Sequence, residues 1–540
     1  MGGLDGVTMD RRRFLAGTAT VAGAVALGVA SPAAAETDLD GPFRLGVASG
    51  DPLPDAVVLW TRLVRDPYDA GSMPARPIPV EWEVSADASF RYPVRRGVAL
   101  ARPEWAHSVH VDVRGLEPGR EYAYRFRADR LVSPVGRTRT APPPWADPVR
   151  LCVGVVNCQD WQNGYWPAYD GLAAEDLDVV LHLGDYIYEY DPRGRLPGRA
   201  HVPPERVGLD QLSTLADYRN RHAQYKSDPA LQGAHAAFPW IVTWDDHETE
   251  NNYADLVDEI DDRGEKRQTP EEFRVQRAHA YQAYWEHMPI RPPYRTASAD
   301  YRIYRRFDFG RMARVNVLDT RQYRTDQPGG FPGDFGLEAA GTGNATGTLT
   351  GGEQELWLDR GLLGSAARWN VIAQQVMMSR VRFPNPALVP PTFSNLDQWD
   401  GYVPQRTRLL RFVEQARVRN PVVLGGDIHS CWFSDLKFSD LKRDFDDPAS
   451  PTVAAEFVAT SVSSDFPIAF DAPLKAVNPV LNPHVRFFDG SLRGYLRCEL
   501  GRDSWRTDVR TVASIDTPVS PVATTASYAV ESGRPGIVPA

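Results

Sequence analysis

Four apolar runs in this chain end in residues that bind metals or carry protons. Leu151-Cys152-Val153-Gly154-Val155-Val156 ends in Asn157-Cys158-Gln159-Asp160. Val179-Val180-Leu181-His182-Leu183-Gly184 runs into Asp185-Tyr186-Ile187-Tyr188-Glu189. Ile241-Val242-Thr243-Trp244 stops at Asp245-Asp246-His247-Glu248, and Val422-Val423-Leu424-Gly425-Gly426 at Asp427-Ile428-His429. A single aspartate at a strand end is often only a helix cap. Four such ends, rich in Asp, His and Cys, supply the thiolate, imidazole and carboxylate donors of a metal centre.

Those ends must be gathered by the elements behind them. From about residue 150, strand-like runs (151–156, 178–183, 240–244, 313–318, 370–374, 422–424) alternate with helix-like segments, among them 270–287, 352–363 and 405–419. Such alternation predicts an α/β core whose strand ends share one functional edge. Before it, residues 38–140 hold alternating β-formers, a turn at Gly115-Leu116-Glu117-Pro118-Gly119 and the run Tyr122-Ala123-Tyr124-Arg125-Phe126. They predict an N-terminal immunoglobulin- or fibronectin-like β-sandwich with a tyrosine corner. The Pro-rich stretch 141–148 divides this part from a catalytic domain at 149–516. Residues 484–514 return to a β pattern, and the Pro-, Ser-, Thr- and Ala-rich tail 517–540 is expected to be loosely ordered.

The motifs resemble the metallophosphoesterase superfamily over most of residues 150–465, in the block order of purple acid phosphatases. Their wording is more similar to the PhoD-like alkaline phosphatases and related secreted phospholipase D enzymes. Trp244-Asp245-Asp246-His247-Glu248, Leu318-Asp319-Thr320-Arg321 and Gly425-Gly426-Asp427-Ile428-His429 carry that resemblance. It implies a metallophosphoesterase β-sandwich core flanked by helices. It also implies metal ligands Cys158, Asp185, Tyr188, Asp246, Gln375, Asp427 and His429, the glutamine placed by alignment of one strand. The first centre would draw on Cys158, Asp185, Tyr188 and His429, a donor set suited to ferric iron. The second would draw on Asp185, Asp246, Gln375 and Asp427, all oxygen donors, which suit calcium. Which centre His429 and Asp427 each serve stays open at this point. PhoD-like enzymes are iron and calcium proteins, so the resemblance implies the same cofactors.

The activity so implied is hydrolysis of a phosphoric ester through attack of a metal-bound hydroxide on phosphorus. His247 would protonate the leaving group, oriented by Glu248 or Asp245, and Arg321 could clamp a phosphate oxygen. Monoester and diester cleavage need the same two cations, so a phosphodiesterase or phospholipase D acting on lipid or teichoic acid is the alternative. A different class of reading is a non-catalytic cell-wall binding protein.

Other chemistry-bearing residues read as structural. His182 lies inside an apolar strand, and His222, His279 and His287 in charged helical segments. Asp255, Asp258, Asp261 and Asp262 form a charge run whose default is a solvated loop, with an extra calcium site as the alternative. Trp161, Tyr165, Trp166, Trp357 and Trp399 could line a groove or simply pack. Gly341–Gly347 lacks the Lys-Ser/Thr of a phosphate-binding loop and reads as flexible. Cys431 reads as packed. Cys152 and Cys158 sit about 20 Å apart along one extended strand, too far for a disulfide.

A net charge of −10 argues against a nucleic-acid surface. Arg12-Arg13-Phe14-Leu15 precedes a Gly/Ala-rich apolar run and Ala33-Ala34-Ala35. Residues 1–35 thus resemble a Tat-type signal peptide, read by the Tat export machinery, and imply a secreted or cell-wall-associated protein. The apolar run is too short for a stable membrane span.

Overall fold

The computed structural model describes residues 41–69, 72–190, 212–258, 267–294, 298–328, 335–383, 393–438, 445 and 447–540. The leader at 1–35, and Asp261 and Asp262, lie outside these residues.

Two large sheets dominate. In the ten-stranded sheet the order runs Arg534–Pro539, Val522–Glu531, Ser504–Val512, Gly494–Leu500, Leu151–Val156, Val179–His182, Pro239–Val242, Val47–Leu53, Ala56–Arg62, Ser108–Arg114. In the seven-stranded sheet it runs Arg305–Phe309, Ala313–Val317, Trp369–Ala373, Pro421–Gly425, Ala454–Val458, Cys431–Leu436, Val485–Asp489. Within each, the central strands that lead to the candidate residues are parallel.

Side-chain alternation explains the layering. On the strand Leu151–Val156, Leu151, Val153 and Val155 share a buried cluster with Val371, Ala373, Val422 and Leu424 of the other sheet. Cys152 and Val156 face the opposite way, among residues of the helices Pro167–Ala173, Pro229–Ala237 and Pro270–His287. On the second sheet Ile372 and Val423 turn outward to the helices Gly351–Leu363 and Val403–Gln415. A strand apolar on both faces must be covered on both, and the result is a helix–sheet–sheet–helix arrangement. The helix Pro270–His287 begins where Thr269 caps it, its hydroxyl accepting from the Glu272 N–H while the Glu272 carboxylate takes the Thr269 N–H.

The N-terminal segment does not stand apart. Its strands Val47–Leu53, Ala56–Arg62 and Ser108–Arg114 extend the ten-stranded sheet, Val47–Leu53 lying parallel to Pro239–Val242. The inner faces of Ala56–Arg62 and Ser108–Arg114 share a cluster with Val80, Val84, Tyr122, Tyr124 and Phe126 of a five-stranded sheet. The Glu117 N–H donates to Tyr122 Oη at 2.9 Å, which ties the turn to that strand. Asp51, buried, accepts from Arg305 Nη2 at 2.8 Å and from the Arg291 N–H at 2.8 Å, so one carboxylate couples the N-terminal segment to the second sheet.

Two expectations need correcting. The tail is ordered: Val522–Glu531 pairs antiparallel with Ser504–Val512, and Arg534–Pro539 pairs with Val522–Glu531. The Gly-rich stretch opens with a short helix, Glu338–Gly343, in which Gly341 sits so close to the Asp400 carbonyl that a Cβ would lie 1.7 Å from its oxygen. Close packing, and not freedom, selects glycine there.

Candidate active site

The four strand ends converge. The backbone is bent sharply at three of them: Cys158, Asp185, Asp427 and His429 adopt left-handed conformations, with φ of 56°, 56°, 65° and 54°. Such conformations cost non-glycine residues energy and are kept where surrounding bonds fix them. Those bonds are present. The Cys158 N–H donates to the Gly184 carbonyl at 3.2 Å, and its own carbonyl accepts from Ser464 Oγ at 2.9 Å. The buried Glu248 carboxylate accepts three backbone N–H groups, from Asp185 (3.1 Å), Tyr186 (2.6 Å) and Asp245 (2.8 Å). Gly184 is obligatory between these loops, because a Cβ there would lie 2.4 Å from that of Asp245.

Three overlapping groups of donor atoms result, each with its atoms within 4.8 Å of one another: Cys158, Asp185 and His429; Asp185, Asp246 and His247; Asp245, Asp246 and Asp427. Asp185 belongs to the first two and Asp246 to the last two. The geometry places His429 with the thiol and Asp427 with the other aspartates. Tyr188 joins the first group, its hydroxyl donating to Asp185 Oδ2 at 2.8 Å, 3.0 Å from His429 Nε2. His429 Nδ1 lies 3.0 Å from the Asp465 carbonyl. A proton held there leaves the Nε2 lone pair directed into the group, as a metal-binding imidazole requires.

Burial and charge fit a metal centre. Glu189, Asp185, Asp245, Asp246 and Asp397 are buried carboxylates and Asp427 is a partly buried one, faced by the Arg321 and Arg324 guanidiniums and the His247 ring. Acidic groups outnumber the cations that face them, an imbalance that bound metal ions would relieve. Asp185 Oδ1, Asp245 Oδ2 and Asp246 Oδ1 are buried and accept no hydrogen bond, which leaves lone pairs open for metal ions. Burial, then the charges of Asp185 and Asp427, push the Cys158 thiol well above its ordinary pKa. Burial, then Asp185, does the same to the Tyr188 phenol. A cation held there would reverse the sign of that field and favour the thiolate and phenolate at neutral pH. Burial, opposed by Arg321 and reinforced by Asp397 and Asp246, lifts Asp427 to about 6.

His247 is held on the rim of Asp185 and Asp246. Its Nδ1 lies 2.8 Å from Glu189 Oε2, and its ring packs against Tyr188, centroids 4.2 Å apart and planes tilted by 33°. Burial disfavours the imidazolium, but Glu189, Asp246 and Asp185 outweigh it and hold the ring well above its usual pKa. The orienting carboxylate is therefore Glu189. Glu248 is spent on backbone, and Asp245 belongs to the acidic group.

Two expected site residues are placed otherwise. The Gln375 amide is fully engaged: its oxygen accepts from the Thr320 N–H (3.1 Å) and hydroxyl (2.7 Å), and its nitrogen donates to Thr243 Oγ1 and the Leu318 carbonyl, both at 2.9 Å. The backbone N–H of Thr320 fixes which end is oxygen, so Gln375 splices strands and offers no ligand atom. Arg321 is fully buried and donates to Asp245 (2.5 Å), Asp397 (2.8 Å) and Asp427 (2.8 Å). Its fork is committed to carboxylates and not turned out as a phosphate clamp. Glu189, Asp397, Ser464 and Gln398, whose Nε2 donates to Asp427 at 2.5 Å, were not foreseen; only Glu189, next to Tyr188, sits beside a motif. Trp161, Trp166 and Trp399 are buried and pack, as do His182, His222 and His287.

The PhoD-like phosphatase family matches residues 153–509, and the PhoD-like phosphatase N-terminal domain matches residues 28–142. Alkaline phosphatase D of Bacillus subtilis (strain 168) is 43% identical over 542 residues, spanning 98% of this chain and 89% of that protein. The chain belongs to the PhoD-like phosphatase family. As a PhoD-like phosphatase it is a phosphoric ester hydrolase. A solved structure of PhoD superposes with a TM-score of 0.82 at 43% identity, over 93% of this chain and 92% of that one. The three donor groups lie within the matched residues of the PhoD-like phosphatase, and among the described residues no helix is long and apolar enough to cross a membrane.

Proposed function

We propose that this PhoD-like phosphatase is an exported alkaline phosphatase that cleaves phosphoric esters with ferric iron and calcium. The observation that carries the reading is the sharing of Asp185 and Asp246 among three donor groups with unpartnered carboxylate oxygens. We read the two-sheet core as a metallophosphoesterase sandwich and the segment before it as immunoglobulin- or fibronectin-like. Cys158, Asp185, Tyr188 and His429 would hold the iron, a thiolate–phenolate–imidazole–carboxylate set suited to a trivalent ion. Asp246 and Asp427, with Asp185 and Asp245 adjacent, would hold the calcium through oxygen alone. When bound, the cations supply a water acidic enough to attack phosphorus and neutralise the phosphoryl oxygens.

The chain's own residues do the rest. Asp185 spaces the two centres. Glu189 keeps His247 Nδ1 protonated and its ring fixed, so Nε2 can pass a proton to the departing alkoxide. Asp465 and Ser464 hold His429 and Tyr188 in register. The test is turnover of p-nitrophenyl phosphate and bis-p-nitrophenyl phosphate by metal-replete protein. Release from the monoester supports the phosphatase. Cleavage of the diester alone would replace it with the phosphodiesterase or phospholipase D reading. The wall-binding alternative loses its ground with family membership.

Cys158→Ala is expected to remove iron and spare calcium. Elemental analysis should show iron falling from about one per chain to near zero, with loss of the broad visible band of a ferric tyrosinate. Retention of both in the variant counts against the iron assignment. Residues 1–35 are read as the export leader. Replacing Arg12 and Arg13 with lysine is expected to leave the protein inside the producing cell, and undiminished export would discard the Tat reading.

A further inference from the structure

Asp245, Asp246 and Asp427 bring carboxylate oxygens within 4.8 Å of one another in a buried site. Like charges at that spacing repel strongly unless something balances them. A cation from the chain itself already touches all three. Arg321 Nε donates to Asp245 at 2.5 Å and Nη2 to Asp427 at 2.8 Å, while Nη2 lies 3.6 Å from Asp246 Oδ2. We infer that Arg321 is a built-in counter-ion of the acidic group, one that keeps the metal-free site folded and lowers its affinity for a divalent cation. The inference rests on the reading that such a cation binds these aspartates.

The geometry favours sharing over displacement. Arg321 is fully buried, and its Nη1 is anchored on Asp397 at 2.8 Å. Arg324 pairs with the same oxygen, its Nη1 2.9 Å from Oδ1, and its Nη2 donates to the Asp397 carbonyl at 2.7 Å. The guanidinium therefore has no route out when a metal arrives. It contacts Oδ1 of Asp245 and of Asp427, whereas Asp245 Oδ2 and Asp246 Oδ1 accept nothing. Those free oxygens can take a cation with the arginine still in place. One positive charge then sits permanently beside the other. It holds the ligands at their final positions before binding, and it repels the ion that binds them. A planar fork meets three carboxylates at once, which a lysine cannot.

Charge compensation has a signature that packing lacks: loss of the arginine weakens the empty protein and tightens its binding of calcium. The experiment uses full-length protein stripped with chelator, as wild type, Arg321→Met, Arg321→Gln and Arg321→Lys. Melting is followed with and without calcium, and calcium affinity by titration calorimetry. The neutral variants are expected to melt at least about 5 °C lower without metal. Calcium should restore more than half of that loss and bind at least about tenfold tighter than in wild type. Arg321→Lys should bind calcium within about threefold of wild type, because it keeps the charge. Unchanged or weaker calcium binding in both neutral variants overturns the inference, as does a melting deficit that calcium leaves intact. A wild type that binds no calcium overturns the underlying site reading instead.

Discussion

Asp185→Asn lowers kcat/KM on a phosphate ester by at least about a thousandfold, the largest single effect expected in this protein. Asp185 is the residue common to the donor group of Cys158 and His429 and that of Asp246 and His247. Asparagine keeps its size and tolerates its left-handed backbone at φ 56°. The loss therefore reports charge and not folding. Asparagine offers one oxygen where two are needed, and it cannot balance two cations. Tyr188, which now donates to Asp185 Oδ2, keeps an acceptor only if the amide oxygen stays on that side. The check is turnover beside metal content: activity should fall along with at least one of the two metals. A variant that retains more than a tenth of wild-type kcat/KM would remove Asp185 from the bridging role.

His247→Gln comes next, and its effect should depend on the leaving group. For an alkyl phosphate, whose alkoxide needs a proton, kcat is expected to drop about a hundredfold to a thousandfold. For p-nitrophenyl phosphate, whose phenolate departs without one, the drop should be under about tenfold. The reason lies in placement. His247 Nδ1 is tied to Glu189 at 2.8 Å and its ring packs against Tyr188, so one nitrogen is held and the other is available. Equal losses on both substrates would show that His247 holds the site together and does not act as the acid. Glu189→Gln tests the same dyad from the other side and should reproduce the leaving-group dependence in weaker form.

The part of this site legible in the sequence is the part written at strand ends. Cys158, Asp185, Asp246, His247, Asp427 and His429 each follow an apolar run, and a parallel strand order brings such ends to one edge. The helix Pro270–His287 was legible at both ends because its start is local chemistry, a threonine, a proline and a returning glutamate. Asp397 and Gln398 were not legible, since their only claim on the site is to meet Arg321 and Asp427 across the fold. Gln375 misled for the opposite reason: it sits one residue beyond the strand Trp369–Ala373 and its neighbour Gln374, where a ligand would stand, yet Thr320 and Thr243 claim its amide. Arg321 read as a phosphate clamp because nothing local shows the aspartates it meets, Asp245, Asp397 and Asp427. The strand Val522–Glu531 escaped notice because Ala, Thr and Ser dominate it, and its pairing with Ser504–Val512 supplies what its composition lacks.

That pairing fixes when the centre can come into being. The strand leading to Cys158 is flanked on one side by Val179–His182 and on the other by Gly494–Leu500, with Leu151 opposite Leu500. Its second neighbour is thus synthesised some 340 residues after it, and the strands Val522–Glu531 and Arg534–Pro539 at that edge of the sheet come last of all. Contacts of such sequence separation form slowly and late. A chain still on the ribosome holds the thiol, the tyrosine and the first aspartates on an unfinished sheet edge. The candidate site is therefore complete only once the C-terminal strands are made, and a chain ended before them lacks the strand that covers the Cys158 side of the sheet.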